Sequence, residues 1–288
     1  MNKVAIVTDS NSGIHQEEGN LLGITTLPMP FSIDKKIFYE NTSLSHAEFY
    51  QKLASEAKIF TSQPAVGTLN EAWLDLLQTY DEIVHIPMSS ALSSSYQTAT
   101  ILAQEYENKV QVVDSNRISV TQKRDVLTAL QLAKQGKSAK EIKDILEKTK
   151  FDSSIYIAVN TLEYLRKGGR ITPTVALLGD TFKIKPILQI QGKKIDSFSK
   201  SRTMHKAITI MMNKIEEDII TKIDPAGHGE NAYICVAHSD NEELALEVKQ
   251  QLEQKYPYHT VICDPLSLSI VCHIGPKAIA IAVCKKIV

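Results

Sequence analysis

Three short apolar runs constrain this chain most. Val4-Ala5-Ile6-Val7 leads to Asp9-Ser10, Ile83-Val84-His85-Ile86 to Ser89-Ser90, and Val110 with its neighbours through Val113 to Asp114-Ser115. Each run is rich in β-branched residues, too short for a helix and closed by small polar residues, which is the pattern of a strand buried on both faces. The segments between them carry helical patterns of about 10–15 residues, and that alternation predicts βαβ units around a parallel sheet.

Helix starts are marked by a Ser, Thr or Asp followed three residues later by Glu, a pair that can satisfy two orphan backbone N–H groups reciprocally. On this basis Ser45 with Glu48 opens a helix reaching about Ala57, and Thr68 with Glu71 one reaching about Tyr80. Ser138 with Glu141 opens one to about Thr149, and Asp240 with Glu243 one to about Lys255. Tyr96, Ala99, Leu102, Ala103 and Tyr106 recur at helical spacing.

The pattern changes near residue 150. A strand is expected over 155–159. Residues 185–190 and 194–199 flank Gly192 as a β-hairpin, a helix covers 203–221, and strands follow over 233–237 and 261–264. With 288 residues two domains are expected, an N-terminal α/β domain over 1–152 and a C-terminal α/β domain over 153–288. No Pro/Gly-rich linker separates them, so they should pack closely.

Several function classes drop out. A net charge of −1 gives no electrostatic footprint for nucleic acid. There is no phosphate-binding glycine loop, no Gly-x-Gly-x-x-Gly after a strand, no His-Glu-x-x-His and no Gly-x-Ser-x-Gly. The histidines are scattered. Cys235, Cys263, Cys272 and Cys284 lack metal-ligand spacing and lie in apolar contexts, as buried thiols of a reducing compartment do. The apolar stretch after Lys3 is too short for a secretory leader. The longest apolar run, 278–284, is far below the roughly 18 residues that span a bilayer. A cytoplasmic protein is expected, with at most transient contact with a membrane surface.

Hydroxyl side chains crowd the expected strand-to-helix junctions, at Thr61-Ser62 and Ser89-Ser90 and through Ser93-Ser94-Ser95. Ligands of open α/β sheets bind beyond the carboxyl ends of the strands, where hydroxyls and helix N-terminal amides can hold an anion. A helix cap alone explains Ser93 or Thr68, and the default reading of His273 is a satisfied core or surface histidine.

The motif set resembles the DegV family over nearly the whole chain. The matching segments are Thr8-Asp9-Ser10 with Gly13-Ile14, Thr61-Ser62-Gln63-Pro64, the stretch from Ser89 through Ala99, Val113-Asp114-Ser115, Leu165-Arg166-Lys167-Gly168-Gly169-Arg170-Ile171, Lys185-Pro186-Ile187-Leu188 and His273-Ile274-Gly275-Pro276. The resemblance implies two α/β domains with a long-chain fatty acid buried between them. It also implies a partner, a dihydroxyacetone-kinase-like fatty acid kinase subunit that phosphorylates the carboxylate with ATP for phospholipid synthesis. By that analogy Thr61 and Ser93 hydrogen-bond the carboxylate, with Ser62 and Ser94 adjacent and His273 close by. Arg170 and Arg202 would face the kinase or the membrane. The resemblance implies neither catalytic residues nor a metal or cofactor. Ala91, Ser94 and Lys277 stand where the family usually has glycine. Lys277 could pair with the carboxylate or point to solvent.

A fatty acid is physically reasonable. About 14 buried methylenes offer roughly 11 kcal/mol before ordering costs. The head group needs only a few hydrogen bonds, each contributing about 1.5–3 kcal/mol. The helix carrying Ile208, Met211, Met212 and Ile215 is a candidate tail wall, with a plain core helix as the competing reading. The competing function is a hydrolase or acyl transferase with Ser93 as nucleophile and His273 as base, which would need an orienting carboxylate such as Asp9 or Asp264. A lipid-sensing regulator is the third.

Overall fold

The computed structural model describes residues 2–55, 57–171, 175, 184–191, 195–257 and 259–287. Strands β1 (Val4–Asp9) and β2 (Ile24–Leu27) are joined by helix α1 (Gln16–Leu22), and β3 (Pro30–Ile33) and β4 (Lys36–Tyr39) follow as a hairpin. Helix α2 (His46–Leu53), strand β5 (Ile59–Thr61), helix α3 (Val66–Leu76) and strand β6 (Glu82–Ile86) lead to helix α4 (Ser95–Ala103) and strand β7 (Val110–Val112). Helices α5 (Val120–Lys134) and α6 (Ala139–Lys148) complete this half.

The second half contains strand β8 (Ser153–Ala158), helix α7 (Glu163–Lys167), strands β9 (Lys185–Ile190) and β10 (Ile195–Ser201), helix α8 (Met204–Asp218), strand β11 (Ala232–His238), helix α9 (Glu242–Lys255), strand β12 (Ile262–Pro265), helix α10 (Leu268–Ile274) and strand β13 (Ile279–Lys285).

The expected parallel sheet is present in the order β2-β1-β6-β7. The second sheet runs β10-β9-β8-β13-β11-β12; it is antiparallel except for the β11–β12 pair. A small antiparallel sheet, β4-β3-β5, lies beside them. The α/β class with a parallel sheet is therefore as expected; the structure adds that this sheet has four strands and that the second sheet is separate and mixed. The antiparallel pair β9–β10 matches the expected hairpin, whose Gly192 turn lies outside the described residues.

Two of the four capping boxes form, at Ser45 with Glu48 and at Ser138 with Glu141. The helix opened by Ser45 ends at Leu53, short of Ala57. The other two differ from expectation. Helix α3 starts at Val66, two residues after Pro64, so Thr68 lies inside it. Asp240 adopts φ +47° and pairs with Lys277 at 2.9 Å, leaving Asn241 to precede α9. In both places a tertiary partner or a proline moved the start that the local signal marked. Strands β2–β5, β13 and helix α5 went unpredicted. Helix α5 disguises itself, because Gln122, Lys123 and Asp125 are buried where charges normally mark a wet face. Asp125 takes the buried Arg117 guanidinium at 2.6 Å. Lys123 bridges Glu18 at 3.0 Å and Asp264 at 3.1 Å, tying the first half of the chain to β12.

The six-stranded sheet has two unlike faces. One carries Tyr156, Ile234, Val236, Ile281 and Val283 beneath α8 and α9. Here Ile208, Met211 and Ile215 sit, so α8 is a core helix and not a tail wall. The other face joins a core that also includes Phe31, Phe49, Met88 and Val120 from the first half. On this face the adjacent strands β13 and β11 present small side chains: Ala237 pairs with Ala280, and Cys235 with Ala282. Ile157 and Ile155 stand beside them across the β13–β8 ladder. Small residues in the middle and isoleucines at the side leave a trough.

Candidate functional site: a cavity with a polar mouth

That trough is the floor of a cavity of about 420 Å³, within the range of pockets that enclose small organic ligands. Ile155, Ile157, Ala237 and Ala280 contribute from the sheet, and Met29, Met88, Ile118 and Val120 come from the first half. Helix α10 lays Ser269, Ile270, His273 and Ile274 along one wall, the i, i+1, i+4, i+5 face expected of one side of a helix.

Of the residues singled out in the sequence, Thr61, Ser62, Ser93, Ser94, His273 and Arg170 all line this one cavity. Arg202 does not; it is exposed on the turn between β10 and α8. Lys277 takes the solvent-facing alternative, paired with Asp240. Arg170 is exposed at the mouth, its guanidinium donating to the Gly168 carbonyl. Asn11, Gln63, Ser119 and Ser269 also line the cavity. Gln63 was visible in the Thr61-Ser62-Gln63-Pro64 motif; the other three had no periodic or motif signal of a pocket.

Thr61 ends β5, and its Oγ1 shares a hydrogen bond of 2.8 Å with His273 Nε2. The Nδ1 edge of the imidazole is turned toward Gly168, where an added Cβ would sit 2.1 Å from Nδ1. Nδ1 itself is buried and has no hydrogen-bond partner among the described residues. Burial, reinforced by the Arg170 charge, pushes the His273 pKa down to about 4. The ring is therefore neutral at pH 7. When its Nε2–H donates to Thr61, the threonine hydroxyl is free to donate into the cavity. Ser93 Oγ accepts the Ser95 N–H at 3.2 Å and lies 2.8 Å from Ser95 Oγ, at the start of α4, so its own proton can also be turned outward. The mouth thus offers two neutral hydroxyl donors, a helix N-terminus and one guanidinium. That set satisfies an anionic head group without burying a permanent counter-charge.

The His273 shift fixes a pH dependence. Its ordinary value is 6.5 and its folded value about 4, so the unfolded chain binds the extra proton between those values. The contribution of the neutral ring is fully present above pH 6.5 and is lost as pH falls toward 4, amounting to roughly 3 kcal/mol. Denaturant titrations of the wild type and His273→Gln should show a stability gap that narrows from pH 7 to pH 4. A gap that widens on acidification would contradict the neutral assignment.

Neither nitrogen of His273 is hydrogen-bonded to Ser93. Asp9 accepts from Met88 N, Asn11 N and Gln122 Nε2, and Asp264 pairs with Lys123. Among the described residues no three His, Cys, Asp or Glu side chains are grouped to hold a metal, and no helix is long and apolar enough to cross a membrane.

Comparison with known proteins agrees with this architecture. The family model described as "Uncharacterised protein, DegV family" matches residues 3–286. Protein DegV of Bacillus subtilis is 30% identical over 287 residues, covering 98% of this chain and 99% of that protein. The crystal structure of the fatty acid binding protein DegV from Bacillus subtilis superposes with a TM-score of 0.87 at 29% identity, over 99% of this chain and 100% of that one. A DegV family protein from Thermus thermophilus, described for its fatty acid binding, gives a TM-score of 0.87 at 25% identity, over 99% and 100% of the two chains. With the family model matching almost from end to end and the fold shared over the whole chain, this protein belongs to the DegV family.

Proposed function

We propose that the cavity holds one long-chain fatty acid, with its carboxylate at Thr61, Ser93 and His273 and its tail in the trough of the six-stranded sheet. Ser62 and Ser94 border the head group. The carrying observation is the composition of the cavity, apolar along the sheet with hydroxyls, His273 and Arg170 at the mouth. Fatty acid binding by the DegV structures it resembles supports the same occupant. Residues 1–152 then act as the head-group domain and 153–288 as the domain covering the acyl chain.

We further propose that the protein is not an enzyme by itself. In the cytoplasm it presents the carboxylate to a separate ATP-dependent kinase subunit, which forms the acyl phosphate used in phospholipid synthesis. The exposed Arg170 and Arg202 are the docking residues for that subunit or for a membrane surface. Neutral hydroxyls favour this role over a tight bidentate clamp, because they leave a carboxylate oxygen open to a phosphoryl donor. The hydrolase reading lacks support, since His273 faces Thr61 and Gly168 and, among the described residues, no carboxylate orients its ring.

Native mass spectrometry of the freshly purified protein tests the occupant. The expected result is one added mass matching a fatty acid, released on denaturation. Thr61→Ala combined with Ser93→Ala should remove that mass while the fold survives. A double variant that keeps stoichiometric lipid would refute the head-group assignment. A clean apo mass with no uptake from added fatty acid would refute the carrier reading.

A further inference from the structure

The cavity contains a second polar group that the head-group assignment does not use. Asn11, Ser119 and Ser269 line it with only 2%, 7% and 5% exposure, in contrast to the exposed Ser62, Ser94 and Arg170. Ser269 precedes His273 by four residues, one helical turn and about 6 Å along α10, so this group lies inward from the mouth. Asn11 Oδ1 accepts from the Ser267 and Ser269 hydroxyls, and one Nδ2–H is directed at the Met88 sulfur, a weak acceptor. The Ser119 hydroxyl makes no hydrogen bond within the described protein. Ser119 also directly precedes the 15-residue helix α5, which it does not cap with its side chain. Partial positive charge from that helix end and an unpaired buried hydroxyl therefore meet at an otherwise apolar wall.

We infer that Asn11, Ser119 and Ser269 form an inner polar station that binds an oxygen carried on the acyl chain, making hydroxy fatty acids preferred occupants. The inference rests on the fatty acid reading above. A purely apolar tail would pass this station and leave the Ser119 hydroxyl unpaired. A chain hydroxyl at the matching carbon would accept from Ser119 and donate to Ser269 or the Asn11 carbonyl. One neutral hydrogen bond gained in this way corresponds to roughly a fivefold preference.

Affinities of octadecanoic acid and of a series of hydroxyoctadecanoic acids differing in hydroxyl position test this, measured by displacement on the full-length protein and on Ser119→Gly and Ser119→Ala. Ser119 sits at φ +56°, ψ −136°, where glycine is unstrained. Ser119→Gly should therefore unfold at the same or a higher temperature than the wild type. The readout is the affinity ratio of hydroxylated to plain acid, because a merely structural defect lowers both affinities alike. In the wild type, one position in the series should bind roughly fivefold tighter than octadecanoic acid, and that ratio should fall toward one in both variants. A plain acid bound as tightly as every hydroxylated one, with ratios unchanged by either substitution, overturns the station and assigns the place to water. A wild type that takes up neither acid overturns the carrier reading itself.

Discussion

Ala280→Phe is expected to abolish retention of long-chain fatty acid while leaving a folded protein. Ala280 lies at the centre of the six-stranded sheet, paired with Ala237 on one side and Ile157 on the other, and all three line the cavity. A phenyl ring here grows into the trough and occupies the space assigned to the tail. Excluding even five methylenes forfeits about 4 kcal/mol, close to a thousandfold in affinity. Stability should change by no more than about 1 kcal/mol, because the ring fills a void rather than displacing packed atoms. Ile281→Phe is the matched control. The neighbouring side chain points to the opposite face, into the packed core beneath α8 and α9, where overpacking should cost about 1–3 kcal/mol and leave the cavity lining intact. Equilibrium binding of octadecanoic acid and denaturant unfolding of both variants separate the two effects. Undiminished binding by Ala280→Phe would mean that the tail does not lie against β13.

The second large effect is expected from Gly168→Ala. Gly168 has an ordinary backbone conformation, so its requirement is steric: a Cβ would stand 2.1 Å from His273 Nδ1 and 2.9 Å from Cε1. The ring must move by more than an ångström to reach ordinary contact, and the 2.8 Å bond to Thr61 then breaks. With Thr61 misdirected, one hydrogen bond to the carboxylate is lost, worth about 1.5–3 kcal/mol, or roughly 10- to 150-fold in affinity. Gly169→Ala makes the contrast. A Cβ there meets nothing within 4 Å, but φ is +66°, so it should cost about 1 kcal/mol in stability without moving the ring. If Gly168→Ala bound octadecanoic acid as the wild type does, His273 would not orient Thr61.

The position of these two residues in the fold shows how far the sequence could be read. Residues 278–284 alternate Ala or Cys with Ile or Val, a period-2 alternation in size that predicts one roomy and one filled face of a strand. On a hydropathy reading both sets are apolar, so the run registered only as a short hydrophobic stretch. It is in fact the central strand β13. The Thr61, Ser93 and His273 group was legible because its residues sit in compact motifs. Gly168 was legible as part of a motif, but its contact with His273 joins residues that are more than 100 positions apart. Ser119 carried no signal at all.

The sequence by itself determined three of the four strands of the parallel sheet, the two capping boxes that form, the two strands of the β9–β10 pair, the absence of a nucleotide loop and the hydroxyl motifs, because each is written in residues close together in the chain. Tertiary structure alone decided which helix starts survived, that Lys123 and Asp125 are buried in ion pairs, that α8 closes the far face of the sheet, and that Thr61 and His273 meet across 212 positions. Those outcomes depend on what each side chain meets after the strands of the second sheet assemble out of chain order, β13 between β8 and β11. No local periodicity encodes that order. The cavity follows from it, since only that strand order sets Ala237 against Ala280 and leaves the space between them and the first half of the chain unfilled.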